Sequence, residues 1–335
     1  LHMPSRRQRQ MCIRDSYIDG WNDGDAIAQA TLQSTELHIL IMLNADGNDF
    51  DTRWNVNQVD LNRNYDHYWN TCPTTQPGSS AFSESETLAN SIYMQDEVAD
   101  ADLYVTMHTG VWIMLYPWGK WPEQPSDWEL FHHVRDEVNS NISDIPIRNA
   151  NQGLYPNCGT SRDYGYGVMG FPTFTFETDD EQFLLGTVEP LSERLGEELD
   201  VMNYLVQNVW YWRARLQVNS IHIEDGHLRL DVDNLGHATT RNATLMQTDE
   251  NGVAIWESTN FTVNATSNAA LDLGLYYGGN ENVGSWSLYY QKRVIDSSTW
   301  VTESVGADKI EVKKVKPSLL PYPNLVLTLV AILPV

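Results

Sequence analysis

Three apolar runs constrain this chain most: Leu37–Leu43, Leu103–Met107 and Phe171–Phe176. Each has the length of a strand: Leu37–Leu43 is continuous in apolar character and reads as buried on both faces, Leu103–Met107 as another buried strand, and Phe171–Phe176 as a strand. Asn44-Ala-Asp-Gly47 reads as a turn closing the first run. Helical signals lie between and after the runs. Ser83-Glu-Ser-Glu-Thr87 sets acids in the first turn of a helix over Leu88–Val98. Trp128–Val138 is apolar at a helical period, and Leu191–Trp210 reads as a long amphipathic helix. Buried strands alternating with helices predict an α/β domain, a mixed doubly wound sheet with helices on both faces, over residues 17–212.

Near Arg215 the pattern changes. Val218–Ile223, Leu228–Val232, Ala243–Gln247, Val253–Glu257 and Trp286–Tyr290 are short strands, with Asp225-Gly226 and Asn251-Gly252 as hairpin turns. They predict an all-β sandwich over residues 215–315, acting as an accessory domain. Residues 317–335 end in the apolar run Leu325–Val335. At 11 residues the run is shorter than the roughly 20 a membrane helix needs. A truncated membrane anchor and a terminal strand are both open for it.

The formal charge of −24 disfavours nucleic-acid binding, which needs Lys and Arg in excess, and suits a soluble surface in a salty or extracellular setting. The three cysteines, Cys12, Cys72 and Cys158, contain no Cys-x-x-Cys pair, which argues against a thiolate zinc site. Cys72 and Cys158 both sit in Pro/Gly-rich loops. A disulfide, if the chain is exported, and two free thiols are both open. Residues 1–16 read as foreign to the rest of the chain: they carry Arg6, Arg7, Arg9 and Arg14 but no apolar period, and Met11-Cys-Ile-Arg-Asp-Ser16 looks like translated adapter sequence.

The chemistry-bearing residues fall between Arg53 and Glu177. Arg53-Trp-Asn-Val-Asn-Gln-Val-Asp-Leu-Asn-Arg-Asn64 holds two arginines and a cluster of amides. Ser80-Ala-Phe-Ser-Glu84 leads into a helix. Met107-His108-Thr109 ends a strand, where ligand sites of open α/β sheets form. Tyr155, Asp163 and Glu177 come next in one spaced run. Glu177 comes after five uncharged residues, so burial should raise its pKa toward the range of a general base.

In this order the motifs resemble the zinc carboxypeptidase family, the peptidases of the carboxypeptidase A and B type. The resemblance covers about residues 17–210 and implies that family's sheet, one Zn2+ ion, and hydrolysis of the last peptide bond of peptide or protein C-termini. It implies His108 as a zinc ligand, Glu177 as the group that activates water and returns the proton to the leaving amine, and Arg53 as the oxyanion stabiliser. It implies Asn62, Arg63 and Tyr155 as the binders of the terminal carboxylate, a task suited to a bidentate guanidinium. Asp60 is expected to orient its own loop. Arg162 stands where the family places the base of its specificity pocket, which predicts a preference for C-terminal Glu or Asp.

The family's first two zinc ligands come from a His-x-x-Glu motif that this sequence lacks: His2 is followed by Ser5 at that spacing and His38 by Ile41. The metal site is therefore expected to be incomplete and this chain inactive as it stands. Loss of the segment that carries the motif is preferred to degeneration of the enzyme. Alternative functions are the trimming of γ-linked acidic stem peptides of the cell wall, and a non-catalytic protein that grips C-terminal carboxylates. An extracellular or cell-surface location is expected.

Overall fold

The computed structural model describes the chain apart from residues 1–5, 51, 74–75, 179–187, 241, 250, 252, 278–283, 291–292, 305–308, 315–324 and 332–335. It divides into two compact units. One comprises Leu1–Val209 with Asn324–Val335, the other Trp210–Pro323.

The first unit is α/β. Its strands are β1 (Thr35–Leu40), β2 (Leu103–His108), β3 (Trp112–Tyr116), β4 (Ile147–Asn149), β5 (Thr173–Thr178) and a C-terminal strand, Leu325–Ala331. They form one six-stranded sheet in the order β1, C-terminal strand, β2, β5, β3, β4. The β2–β5 pair is parallel and β3 runs antiparallel to β5, so the sheet is mixed. Every residue of β2, β3 and β5 is buried, as expected of strands covered on both faces.

Helices cover the sheet by the spacing of their apolar positions. Trp128–Asn141 buries Leu130, Phe131, Val134 and Val138, the one-sided stripe of an amphipathic helix. Ser85–Asp96 buries Thr87, Asn90, Ser91 and Met94, and Met94 joins Leu61, Tyr65, Tyr104, Tyr164 and Phe171 in one apolar cluster. Residues 188–207 are helical, as the sequence predicts.

Several expectations need correction. Strand β1 is only partly buried, with Leu40 38% exposed, because it forms the edge of the sheet. The stretch after it is a short helix, Ala45–Asp49, rather than a simple turn: the Asn44 side chain accepts a hydrogen bond from the Gly47 N–H and caps it. Of the two readings left open for the C-terminal run, the structure has the strand, parallel to both β1 and β2. Among the described residues no helix is long and apolar enough to cross a membrane. Arg6–Asp23 forms one helix, with Ile13 and Tyr17 buried.

The second unit is all-β, with β6 (Leu216–Glu224), β7 (His227–Asn234), β8 (Thr244–Thr248), β9 (Ala254–Glu257), β10 (Ser267–Leu275), β11 (Gly284–Tyr290), β12 (Arg293–Ser304) and β13 (Lys309–Lys314). Asp225 and Gly226 both have positive φ, 51° and 75°, which suits the two-residue hairpin between β6 and β7. The turn expected at Asn251-Gly252 falls partly outside the described residues. The strands join one eight-stranded antiparallel sheet, in the order β10, β7, β6, β13, β12, β11, β8, β9, where the sequence suggests two stacked sheets. The link is the pairing of β13 with β6, which no local turn signal announces. Both ends of the sheet share one core: Leu230 of β7, Trp256 of β9, Leu273 of β10 and Trp286 of β11 lie in the same apolar cluster.

Candidate active site

The parallel pairing of β2 and β5 sets His108 directly beside Glu177 at the carboxyl ends of both strands. The Thr178 hydroxyl donates to the His108 carbonyl at 2.9 Å and ties the two ends together. Both side chains are buried, at 3% and 8% exposure. Burial raises the Glu177 carboxyl to a pKa of about 8, although the Arg53, Arg162 and Arg63 guanidiniums pull the other way. Burial, reinforced by the same three cations, drives the His108 pKa well below its ordinary value. Its Nε2 is buried without a hydrogen-bond partner.

The loop between β1 and the Ser85–Asp96 helix delivers the next group. Asp60 is its hub: one carboxylate oxygen accepts from the Asn62 N–H at 3.0 Å, the other from Arg53 Nε at 2.8 Å. Arg53 Nη2 lies 2.7 Å from that second oxygen, and Arg63 Nε 4.0 Å from it. Asp60 thus orients its loop and also both arginines. Arg63 donates through Nη1 to the Asn62 carbonyl at 2.8 Å and through Nη2 to the Tyr155 hydroxyl at 3.1 Å. Asn62 Oδ1 accepts from the Ser161 N–H at 3.1 Å, which ties this loop to the segment bearing Arg162.

A layer of buried polar side chains supports the loop from behind. Asn64 Nδ2 donates to the Pro77 and Ser80 carbonyls, and Asn64 Oδ1 accepts from Thr87. Glu84 accepts from Asn55, Asn57 and Ser83. Burial alone would raise its pKa, but these hydrogen bonds outweigh burial and hold it below the ordinary carboxylate value. A disulfide joins Cys72 to Cys158 across 86 residues and fixes the far side of this loop to the Tyr155–Arg162 segment.

Arg53, Asn62, Arg63, His108, Tyr155, Arg162 and Glu177, the seven site residues proposed from the sequence, line one cavity of about 160 Å3. Tyr155 stands at the rim, 51% exposed. Arg162 does not turn outward: it is buried, with Nε 2.9 Å from Asp163 Oδ1. Thr109, Val111, Leu154, Asn157 and Thr175 complete much of the lining, and sequence reasoning did not select them. Asn157 comes after Tyr155-Pro156 and reads only as a turn residue; its partners are set by folding.

The family model for zinc carboxypeptidases matches residues 11–193, more than half of the 335 residues. The chain belongs to that family. Zinc carboxypeptidase A 1 of Drosophila melanogaster is 28% identical over 179 residues, covering 46% of this chain and 41% of the relative. Carboxypeptidase B of Helicoverpa zea is 32% identical over 136 residues, covering 36% and 32%. The chain thus spans less than half the length of either relative. Among solved structures, thrombin activatable fibrinolysis inhibitor superposes with a TM-score of 0.53 at 21% identity, over 61% of this chain and 60% of that one, a likeness of fold.

Family membership implies a zinc ion, and the residues in place can be tested against one. A catalytic zinc site takes three protein donors and an open position. The orphaned His108 Nε2 suits one donor. Among the described residues, however, no group of three His, Cys, Asp or Glu side chains is placed to hold a metal. The described residues by themselves do not supply a donor set that fits the ion.

Proposed function

We propose that the cavity receives the C-terminal end of a peptide, and that the reaction built on it in the family is hydrolysis of the last peptide bond. The observation that carries this reading is the convergence of three guanidiniums, Arg53, Arg63 and Arg162, with the buried Glu177 on one cavity of a protein whose formal charge is −24. Such a concentration of cations against the trend of the whole chain suits an anionic ligand. Arg63, Asn62 and Tyr155 form a wall for the terminal carboxylate. Glu177 is the group placed to take a proton from water and return it to the departing amine, and Arg53 to stabilise the oxyanion. Arg162 supports a preference for a C-terminal Glu or Asp over Phe or Lys. The Cys72–Cys158 disulfide supports an oxidising, extracellular or cell-surface setting.

A second reading is favoured by the donor set around His108. For residues 1–335 alone we infer binding without turnover, because no three metal donors converge among the described residues. One experiment tests both readings: calorimetry with a peptide ending in a free Glu and with its C-terminal amide, followed by mass spectrometry of the mixture. The free acid should bind at least about 10-fold tighter, worth roughly 1.4 kcal/mol, and no product should form. Equal binding of acid and amide would remove the carboxylate reading. Turnover that depends on metal and stops with chelator would remove the non-catalytic one.

A further inference from the structure

We infer that Asn157 is a positioning residue for side-chain selection: it clamps Arg162 so that a single guanidinium nitrogen, Nη1, is presented to an acidic side chain of the ligand. This rests on the proposed reading of the cavity as a site for peptide C-termini.

A closed ring of four hydrogen bonds surrounds the guanidinium. Arg162 Nε donates to Asp163 Oδ1 at 2.9 Å, and Arg162 Nη2 donates to Asn157 Oδ1 at 2.9 Å. The Gly119 N–H donates to Asp163 Oδ2 at 2.9 Å, and the Asn157 N–H donates to the Gly119 carbonyl at 2.9 Å. Arg162, Asp163 and Asn157 are all at least 95% buried, so the ring is shielded from competing water. A guanidinium has five N–H donors in a rigid fork. Here Asp163 holds Nε and Asn157 holds Nη2, which leaves Nη1 as the remaining donor of a side chain that lines the cavity.

Two further contacts show that Asn157 is built into the site. Its Nδ2 donates to the Tyr155 carbonyl at 2.6 Å, so it holds the segment whose hydroxyl meets Arg63. Gly119 lies so close that a Cβ there would come within 2.2 Å of Asn157 Oδ1 and 2.4 Å of Arg162 Nη2. No side chain fits at Gly119 while both groups keep their places. Asp163 already pairs with Arg162, so selection rests on how the remaining charged donor is aimed.

The test is calorimetry on the full chain with three peptides that differ only in the last residue, Glu, Gln or Phe. Wild type should prefer Glu over Gln by about 10-fold, the size of one charge-assisted hydrogen bond. Asn157→Ala should lower that ratio to about 3-fold or less, with the Phe peptide bound nearly as before. Asn157→Asp keeps the shape but adds a second carboxylate, and should lower the ratio further. Gly119→Ala, which displaces Arg162 from the other side, should act in the same direction and covers the case in which an Asn157 variant does not fold. A merely structural role would weaken all three peptides equally and leave the ratio unchanged; that result, or a wild-type ratio near one, would overturn the inference while leaving the site reading intact. Failure to bind any free-acid peptide would take down both.

Discussion

The two sides of the cavity are built differently. On the side proposed to bind the anion, Arg53, Arg63 and Arg162 are each fastened to acids, amides or Tyr155, and the loop that carries two of them is backed by the buried Asn64, Glu84 and Thr87. On the other side, His108 Nε2 is buried without a hydrogen-bond partner, and among the described residues no group of three metal donors forms. In the proposed reading, recognition and metal chemistry are held by separate networks. The proposed recognition half is tied together by its own hydrogen bonds. The metal half depends on donors that the described residues do not bring together.

This contrast is most directly broken at Arg63. Arg63→Met removes the cation of the proposed carboxylate wall and should weaken a free-acid peptide by about 100-fold in calorimetry. A loss under about 3-fold would show that this wall is not where the terminus binds.

The next effect is on stability. The Glu84 pKa is depressed in the folded chain, so its contribution is present above the unfolded value of 4.5 and is lost as pH falls through the lower folded value. Glu84→Gln should therefore destabilise the protein by about 1–3 kcal/mol at pH 7, and the difference in Tm from wild type should close on acidification toward pH 3. A difference independent of pH would mean that the support layer does not act through the charge of Glu84.

Tyr155→Phe should act more weakly. It removes one hydrogen bond at an exposed rim and should lower peptide affinity about 3-fold, with no change in Tm.

The smallest change probes the contrast from the metal side. Added zinc should change peptide affinity by less than about 2-fold, and His108→Ala should leave the response to zinc as it was. Stoichiometric zinc binding abolished by His108→Ala would show that the second half of the site is assembled after all.

Much of the first unit is legible because its signals are local. The run at Leu103–Met107 is largely apolar and the one at Phe171–Phe176 is rich in aromatic residues, and the corresponding strands β2 and β5 form, both buried throughout. The helices at Ser85–Asp96 and Trp128–Asn141 obey their apolar period. Strands β3 and β4 escape sequence reading; at three residues β4 is too short to be separated from loop by periodicity. The burial expected for β1 is wrong because edge or centre is a property of the sheet and not of the run.

Local sequence specifies which residue types are available for chemistry, and in what order: two arginines among amides, a histidine ending a strand, and a glutamate after an uncharged run. It also specifies the alternation of strand and helix, because hydrophobic period acts over a few residues. The register of β2 against β5, which sets His108 beside Glu177, arises only when the sheet assembles. The enclosure of Arg162 by Gly119, Asn157 and Asp163 likewise arises only on folding. These partners are brought together by sheet pairing and loop packing, and a hydrogen bond formed across tens of residues leaves no periodic mark on either segment.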